Sequence, residues 1–442
     1  MSSGRSAAPA RPAGALARSA AANEGPRRLH PRLRLDIGWD DLFFAAAAGL
    51  AALDREHRAR RIEARFCARG DAFAALSARS GFELYLTALA LPAGSEVLVS
   101  GLTIPHMVQL LENHGLRVVP IALDPRTLQP ASGEIERAAS PRTRAVLFAH
   151  LFGQRADLGP LVARARREGW LLWEDCAQAF TGDPWRGEAE ADVALFSFGL
   201  IKTATAIQGG ILRVRDEAVL ARMRALERDW PVQSRADFLR RAGKAALLHA
   251  LEHPRLFASF ARWCAGRGRD LDELLHAATR GFPGPGFVLR LRRRPSAAQL
   301  ALLERRLSRP RASQAAAKRA WGETVLAESG ERLELFGRGA RERHHWVFAL
   351  GTTEPHQLVR ALRAVGFDAT ARSSLVPVEP SAGGVAPEAN RALLQRLVYV
   401  PLAPRATAEE RAELVRCLRA SASGLELFPR GAFAPAGHRT GG

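Results

Sequence analysis

Lys202 ends the run Phe196-Ser197-Phe198-Gly199-Leu200-Ile201-Lys202, where the amine follows an apolar strand and has apolar neighbours. Taking such a lysine partly out of water depresses its pKa and frees the amine to form a Schiff base. A lysine snorkelling from a strand end into solvent fits the same residues. Ser197, five residues earlier, offers a hydroxyl to an anion. Upstream, Trp173-Glu174-Asp175-Cys176-Ala177-Gln178 sets a carboxylate directly after an apolar run. That is the carboxyl end of a sheet, where α/β proteins bind ligands. Asp175 there suits a protonated ring nitrogen, although a capping or surface aspartate satisfies the pattern too. Ser80-Gly81-Phe82 opens a helical run at 83–91, and its small residues let backbone N–H groups approach a phosphate. An ordinary N-cap is the plainer reading of that feature. Gln208-Gly209-Gly210 makes a turn into a strand at 211–214, where glycine permits close backbone approach.

These side chains need a scaffold, and the chain alternates between short β-rich runs and helical stretches. The strands read at 96–99, 117–121, 145–148, 170–173 and 193–198, with helical spacing between them, as at 107–114 and 158–167. Alternation of this kind argues for an α/β architecture, a mostly parallel sheet flanked by helices. Strands such as AVLF and WLLW are apolar on both sides, as a sheet covered on both faces requires. From 229 to 287 the chain turns helical, with Trp, Phe and Leu interleaved with Arg. Between Arg235 and Arg294 there are thirteen Lys or Arg against five Asp or Glu. The glycines and prolines of 281–286 break the helices. A helix at 295–308, a strand at 345–350 and a helix at 354–365, followed by Gly366 at its C-cap, outline a smaller α+β domain. The expected organisation is a disordered basic tail (1–28), a large domain (29–228), a basic amphipathic helical insertion (229–287), a small domain (288–423) and a disordered tail (424–442).

The net charge of +19 is unusual for a chain with 47% hydrophobic and 25% charged residues. We read it as an Arg-rich composition rather than a nucleic-acid footprint, so no nucleic-acid partner is expected. The four cysteines form no CxxC pair and no metal-type spacing, and free thiols in a reducing cytoplasm are the default. No apolar run is long enough for a membrane-spanning helix.

The order of features, phosphate loop, acid, lysine and Gly-Gly, resembles the fold-type I pyridoxal-phosphate (PLP) enzymes, and within them the DegT/DnrJ/EryC1/StrS sugar-aminotransferase family. The similarity runs from about Ser80 to Leu226 and resumes from about Pro295 to Leu418. It rests on EVLVSGLT, on Ala149-His150-Leu151-Phe152-Gly153-Gln154, on WEDCAQAF, on FSFGLIK followed by QGG, and on VYVPLAPRAT. The resemblance implies that Lys202 binds PLP and shuttles protons, and that Asp175 keeps the pyridine nitrogen protonated. It places Gln178 against the ring or its hydroxyl, and Ser80, Gly81, Phe82 and Ser197 around the phosphate. It further implies amino transfer, usually from glutamate, to a nucleotide-linked keto-sugar, and a cytoplasmic homodimer.

Three departures stand out. Ile104 occupies the position where the family carries a stacking aromatic ring, with His106 two residues on as a substitute. The phosphate loop has Phe82 and Glu83 where small residues are usual. Leu291-Arg292-Arg293-Arg294 replaces a segment that reaches the neighbouring subunit, and its arginines suit either a phosphate or a solvated basic face. For the 229–287 insertion, a subunit interface, a lid over the substrate and a platform on an anionic membrane compete. Relatives acting as sugar dehydratases carry His in place of the lysine, so Lys202 argues against that chemistry. Other readings are a different keto substrate and a non-catalytic regulatory or scaffold protein.

Overall fold

A computed structural model describes residues 26–422, apart from Arg280, Pro283, Pro285 and Gly384. The tails expected at 1–28 and 424–442 therefore lie outside the described residues, except for 26–28. Seven short runs pair into one sheet: β1 (Ala72–Ala75), β2 (Glu96–Ser100), β3 (Arg117–Ile121), β4 (Thr143–Ala149), β5 (Leu171–Asp175), β6 (Val193–Ser197) and β7 (Gly210–Val214). Their spatial order is β1-β7-β6-β5-β4-β2-β3. Strands β2 to β6 pair in parallel, and β7 runs antiparallel to both of its neighbours. The five expected strands reappear within two residues of their expected bounds, because apolar runs without alternation belong to strands buried on both faces.

Helices cover both faces. They are α1 (Trp39–Leu50), α2 (Arg55–Phe66), α3 (Ala78–Leu89), α4 (Pro105–Asn113), α5 (Gly159–Glu168) and α6 (Glu217–Glu227). Alternation along β7 shows the division: Leu212 packs with Phe82, Leu84 and Met223 of α3 and α6. Its neighbour Ile211 packs with Leu42 of α1 and Ile62 of α2 on the opposite face.

The 229–287 segment is helical as expected, forming α7 (Arg235–Ala250), α8 (Pro254–Gly266) and α9 (Leu271–Thr279), with a short α10 (Phe287–Leu291) after the glycine-rich break. Next comes α11 (Ala297–Ser308), whose Leu300, Leu302 and Leu303 join the large-sheet core beside α1 and α2. On this packing we assign residues 288–308 to the large domain, not to the small one that the sequence suggests. The small body contains α12 (Ala312–Ser329), a three-stranded antiparallel sheet of β8 (Glu334–Leu335), β9 (Phe348–Gly351) and β10 (Leu397–Val400), and α13 (Pro355–Ala364), α14 (Glu388–Gln395) and α15 (Ala408–Ala422). The strand expected at 345–350 begins only at Phe348. Gly366 follows α13 at φ +88°, as a C-cap glycine does.

A strap formed by the first described residues ties these parts together. His30 bridges Phe367, Arg32 binds Asp368 at 2.8 Å, and Leu29 donates its N–H to Pro254 O at 3.1 Å. None of the described helices is long and apolar enough to cross a membrane.

Candidate functional site

Strands β4, β5 and β6 end side by side, and their last residues Ala149, Asp175 and Ser197 open onto a cavity of about 650 Å³. Parallel strands place their carboxyl ends on one edge, so three residues far apart in sequence share one floor. Asp175 accepts the Ala177 N–H through Oδ1 at 2.9 Å. Its other oxygen has no hydrogen-bond partner among the described residues, and burial raises its pKa. Gln178, three residues on, lines the same wall and accepts the Phe152 N–H at 2.8 Å. Beneath them His150 Nδ1 accepts the Ala156 N–H, which leaves the proton on Nε2 to donate to Glu174 at 2.7 Å. Cys176 completes a buried cluster with these two, their ligand-type atoms lying within 4.8 Å of one another. Glu174 also accepts the Glu188 N–H, and burial pushes the Cys176 thiol well up.

Lys202 follows β6 across a tight turn, its N–H donating to Gly199 O at 2.9 Å. Its ammonium sits 4.1 Å from the centre of the Trp346 ring. The indole N–H of Trp346 donates to Ile201 O at 3.0 Å, so the small body holds the lysine loop. Burial depresses the Lys202 pKa to about 8, with Asp175 opposing and Arg79 adding to the shift. Ala204 and Ile207, just beyond, hold positive φ angles of 53° and 68°. Their amides are fixed by Asp36 (2.6 Å) and by the Thr205 hydroxyl (3.0 Å), which sustain that unfavourable backbone.

Helix α3 begins earlier than the sequence suggests. Ser77 is the N-cap, its hydroxyl accepting the Ser80 N–H at 3.1 Å, while the Gly81 N–H bonds to Ser77 O. Ser80, Gly81 and Phe82 therefore lie inside the helix and do not line the cavity. Phe82 stacks on Tyr85 and packs edge-on to Trp173 in the core, and Gly81 lies against Leu212. Ser77, Ala78 and Arg79 face the cavity instead. Gly210 makes this possible, since a Cβ there would lie 2.2 Å from the Ala78 nitrogen. Gln208 lines the cavity too, 5% exposed, with its Oε1 taken by Gln233 and its Nε2 buried without a partner among the described residues.

Sequence reasoning missed Arg79 and Trp346, because an isolated arginine or tryptophan carries no spacing signal. Arg79 meets His106 Nδ1 at 2.5 Å and lies over the Phe282 ring at 4.9 Å. Burial lowers its pKa to about 10, against the pull of Asp175. Ile104 and His106 both line the cavity, and the His106 ring stacks on Phe287 at 4.5 Å. The arginine run does not reach it. Arg292 binds the buried Glu83 at 2.6 Å, Arg293 binds Asp237 and Arg294 binds Glu56. The insertion forms the roof, through Arg241 and Lys244 of α7, His276 and Thr279 of α9, and Phe282.

Residues 53–239 match the model of the DegT/DnrJ/EryC1/StrS aminotransferase family. Over that stretch the chain is similar to this family. The match takes in Asp175, Gln178, Ser197 and Lys202 and ends inside α7, so most of the insertion lies beyond it. A relative, the GDP-perosamine synthase of Caulobacter vibrioides, is 33% identical over 164 residues, which is 36% of this chain and 44% of that protein. The chain thus aligns with less than half of this curated relative. Among solved structures, the aminotransferase TlmJ of Streptoalloteichus hindustanus superposes with a TM-score of 0.64 at 19% identity, covering 90% of this chain and 99% of that one. NtdA of Bacillus subtilis, described with bound cofactor PMP, gives a TM-score of 0.62 at 15% identity, covering 90% and 87%. These two likenesses establish the fold.

Proposed function

We propose that this chain is a PLP-dependent aminotransferase that moves an amino group, with glutamate as donor, to a keto-sugar carried on a nucleotide. The observation carrying the reading is that Asp175 and Lys202 face one cavity, an acid with a free oxygen and a lysine whose amine sheds its proton near pH 8. The residues present fit the cofactor. Asp175 would hold a proton on the ring nitrogen, and Lys202 would hold the aldehyde carbon. Ser197 and the α3 N-terminus at Ser77 and Ala78 would hold the phosphate, in place of the Ser80-Gly81-Phe82 set. Gln178 and His150 form the remaining wall. Gln208 Nε2 is a buried donor without an acceptor among the described residues, as a ligand oxygen requires.

When bound, PLP supplies an electron sink for the substrate carbon. The chain's own part is to orient and to move protons. Lys202 Nζ, as a free amine, would take a proton from the substrate carbon and later give it back. Trp346 fixes the lysine loop through Ile201, and the roof of α7 and α9 shields the amine from water. The reading carries with it a cytoplasmic homodimer. It also includes, as a lesser element, contact between an anionic membrane and the outer face of α8, where Leu256 and Trp263 are 54% and 42% exposed. A screen of keto-sugar nucleotides tests the substrate class, scoring glutamate-dependent turnover. Turnover of none of them, by a protein that holds the cofactor, would overturn the sugar assignment. A colourless protein that retains no added PLP would favour the scaffold reading.

A further inference from the structure

The chain has three lysines among its 64 basic residues, and Lys202, Lys244 and Lys318 all line the same cavity. Lys202 is accounted for above. Each of the others stands by an arginine that lines the cavity as well. Lys244 lies three residues after Arg241 on α7, and Lys318 of α12 interacts with Arg34 of the N-terminal strap.

None of these four side chains makes a hydrogen bond or an ion pair with another described residue, although Arg241 lies 6.0 Å over the Phe282 ring. The nearby acids are partly engaged elsewhere, although one buried oxygen of Asp36 has no hydrogen-bond partner among the described residues. Asp237 binds Arg240 and Arg293, Asp36 accepts the Ala204 N–H, and Glu252 accepts the Leu35 N–H. Other charged groups of the cavity are also committed: Arg32 to Asp272 and Asp368, Arg372 to Asp270, Arg79 to His106. Adjacent cations repel, and a partly dry wall strengthens the repulsion, while Asp36 and Glu252 offset part of it at Lys318. An anion relieves it. The fork of an arginine with the point charge of a lysine matches one phosphoryl group.

We propose that the Arg241–Lys244 and Arg34–Lys318 pairs form an anion-binding end of the cavity that receives the diphosphate of the substrate. The proposal rests on the reading of the chain as a transferase acting on a nucleotide-linked sugar. It assigns the inserted helices a share of substrate binding as well as of cover. Lysine adds a compact point charge beside the planar fork of each arginine. Desolvation lowers Lys244, with Arg241 adding to the shift. Burial lowers Lys318, with Asp36 and Glu252 opposing and Arg34 adding. An incoming anion opposes both shifts and so favours the protonated amines.

Calorimetry with inorganic pyrophosphate on the full, cofactor-loaded chain tests this. Pyrophosphate is expected to bind, read as a heat of binding. Lys244→Ala and Lys318→Ala should each weaken binding about tenfold or more with the melting midpoint unchanged. Lys244→Arg and Lys318→Arg should retain binding. Unchanged affinity in both alanine variants would overturn the proposal. So would loss of binding on Arg79→Ala alone, which would place the anion at the α3 N-terminus. Lys202→Ala separates the two readings, since it should lose the cofactor and still bind pyrophosphate. A chain that takes up no PLP, yet loses pyrophosphate affinity with the two lysines, would sink the aminotransferase and leave this site standing.

Discussion

The floor and the roof of the cavity are built by opposite means. The floor is the carboxyl edge of a parallel sheet, where Ala149 pairs with Asp175, Asp175 pairs with Leu195, and Ser197 ends the same strand as Leu195. Each polar group there has a fixed neighbour: Asp175 the Ala177 amide, Gln178 the Phe152 amide, Lys202 the Trp346 ring. The roof consists of helices outside the sheet, and its cations Arg241 and Lys244 have no acid partner among the described residues. A floor of fixed dipoles suits bond making and proton transfer, which tolerate little displacement. A roof of unpaired cations suits recognition of a charged ligand, whose arrival completes it.

If this division is right, the largest effect of any single change belongs to the floor. Lys202→Ala should lower amino transfer by ~10³-fold or more while the fold is kept, as circular dichroism would show. Comparable turnover in that variant would remove the lysine from the chemistry. The pH profile of PLP capture by the chain sharpens the same point. A Lys202 amine depressed to about 8 is protonated below that pH, so the capture rate should rise about tenfold per pH unit and level off above it. Asp175 holds the amine up, so Asp175→Asn should move that midpoint lower, whereas Arg79→Gln should move it higher. A midpoint near the ordinary lysine value of about 10.4 would show a solvated side chain instead.

Changes in the roof should act on binding alone. Lys244→Ala should raise KM for the nucleotide-linked sugar by about tenfold and leave kcat within about twofold. An equal fall in kcat would place this lysine in the chemistry and erase the contrast. The smallest functional effect is expected outside the cavity. Arg292→Ala strips one partner from the buried Glu83, which keeps His114 at 3.0 Å. Stability should drop by about 1–3 kcal/mol in denaturant titration, with cofactor binding intact.

The same contrast explains what was legible in the sequence. Strand runs and the residues that end them could be read, because burial on both faces leaves an apolar signature and the chemistry follows directly after it. Asp175, Ser197 and Lys202 were found in this way. The start of α3 was misplaced by a few residues: Ser80 and Ser77 are equally good caps in sequence, and only the close approach of Gly210 to Ala78 selects Ser77. Arg79 and Trp346 were invisible, since neither has a spacing partner and each reaches the site through tertiary packing. The arginines of 292–294 and those of α7 looked alike as basic residues. Carboxylates distant in sequence, Glu83, Asp237 and Glu56, neutralise the first group and leave Arg241 exposed to the cavity.

Reduction of the PLP-loaded protein with borohydride, followed by peptide mass mapping, addresses the central claim most directly. The chain offers three lysines, all lining the cavity, so the result discriminates among close neighbours. The account predicts one pyridoxyl adduct, on the peptide containing Lys202. An adduct on Lys244 or Lys318 with Lys202 unmodified, or no adduct on any lysine, would contradict it.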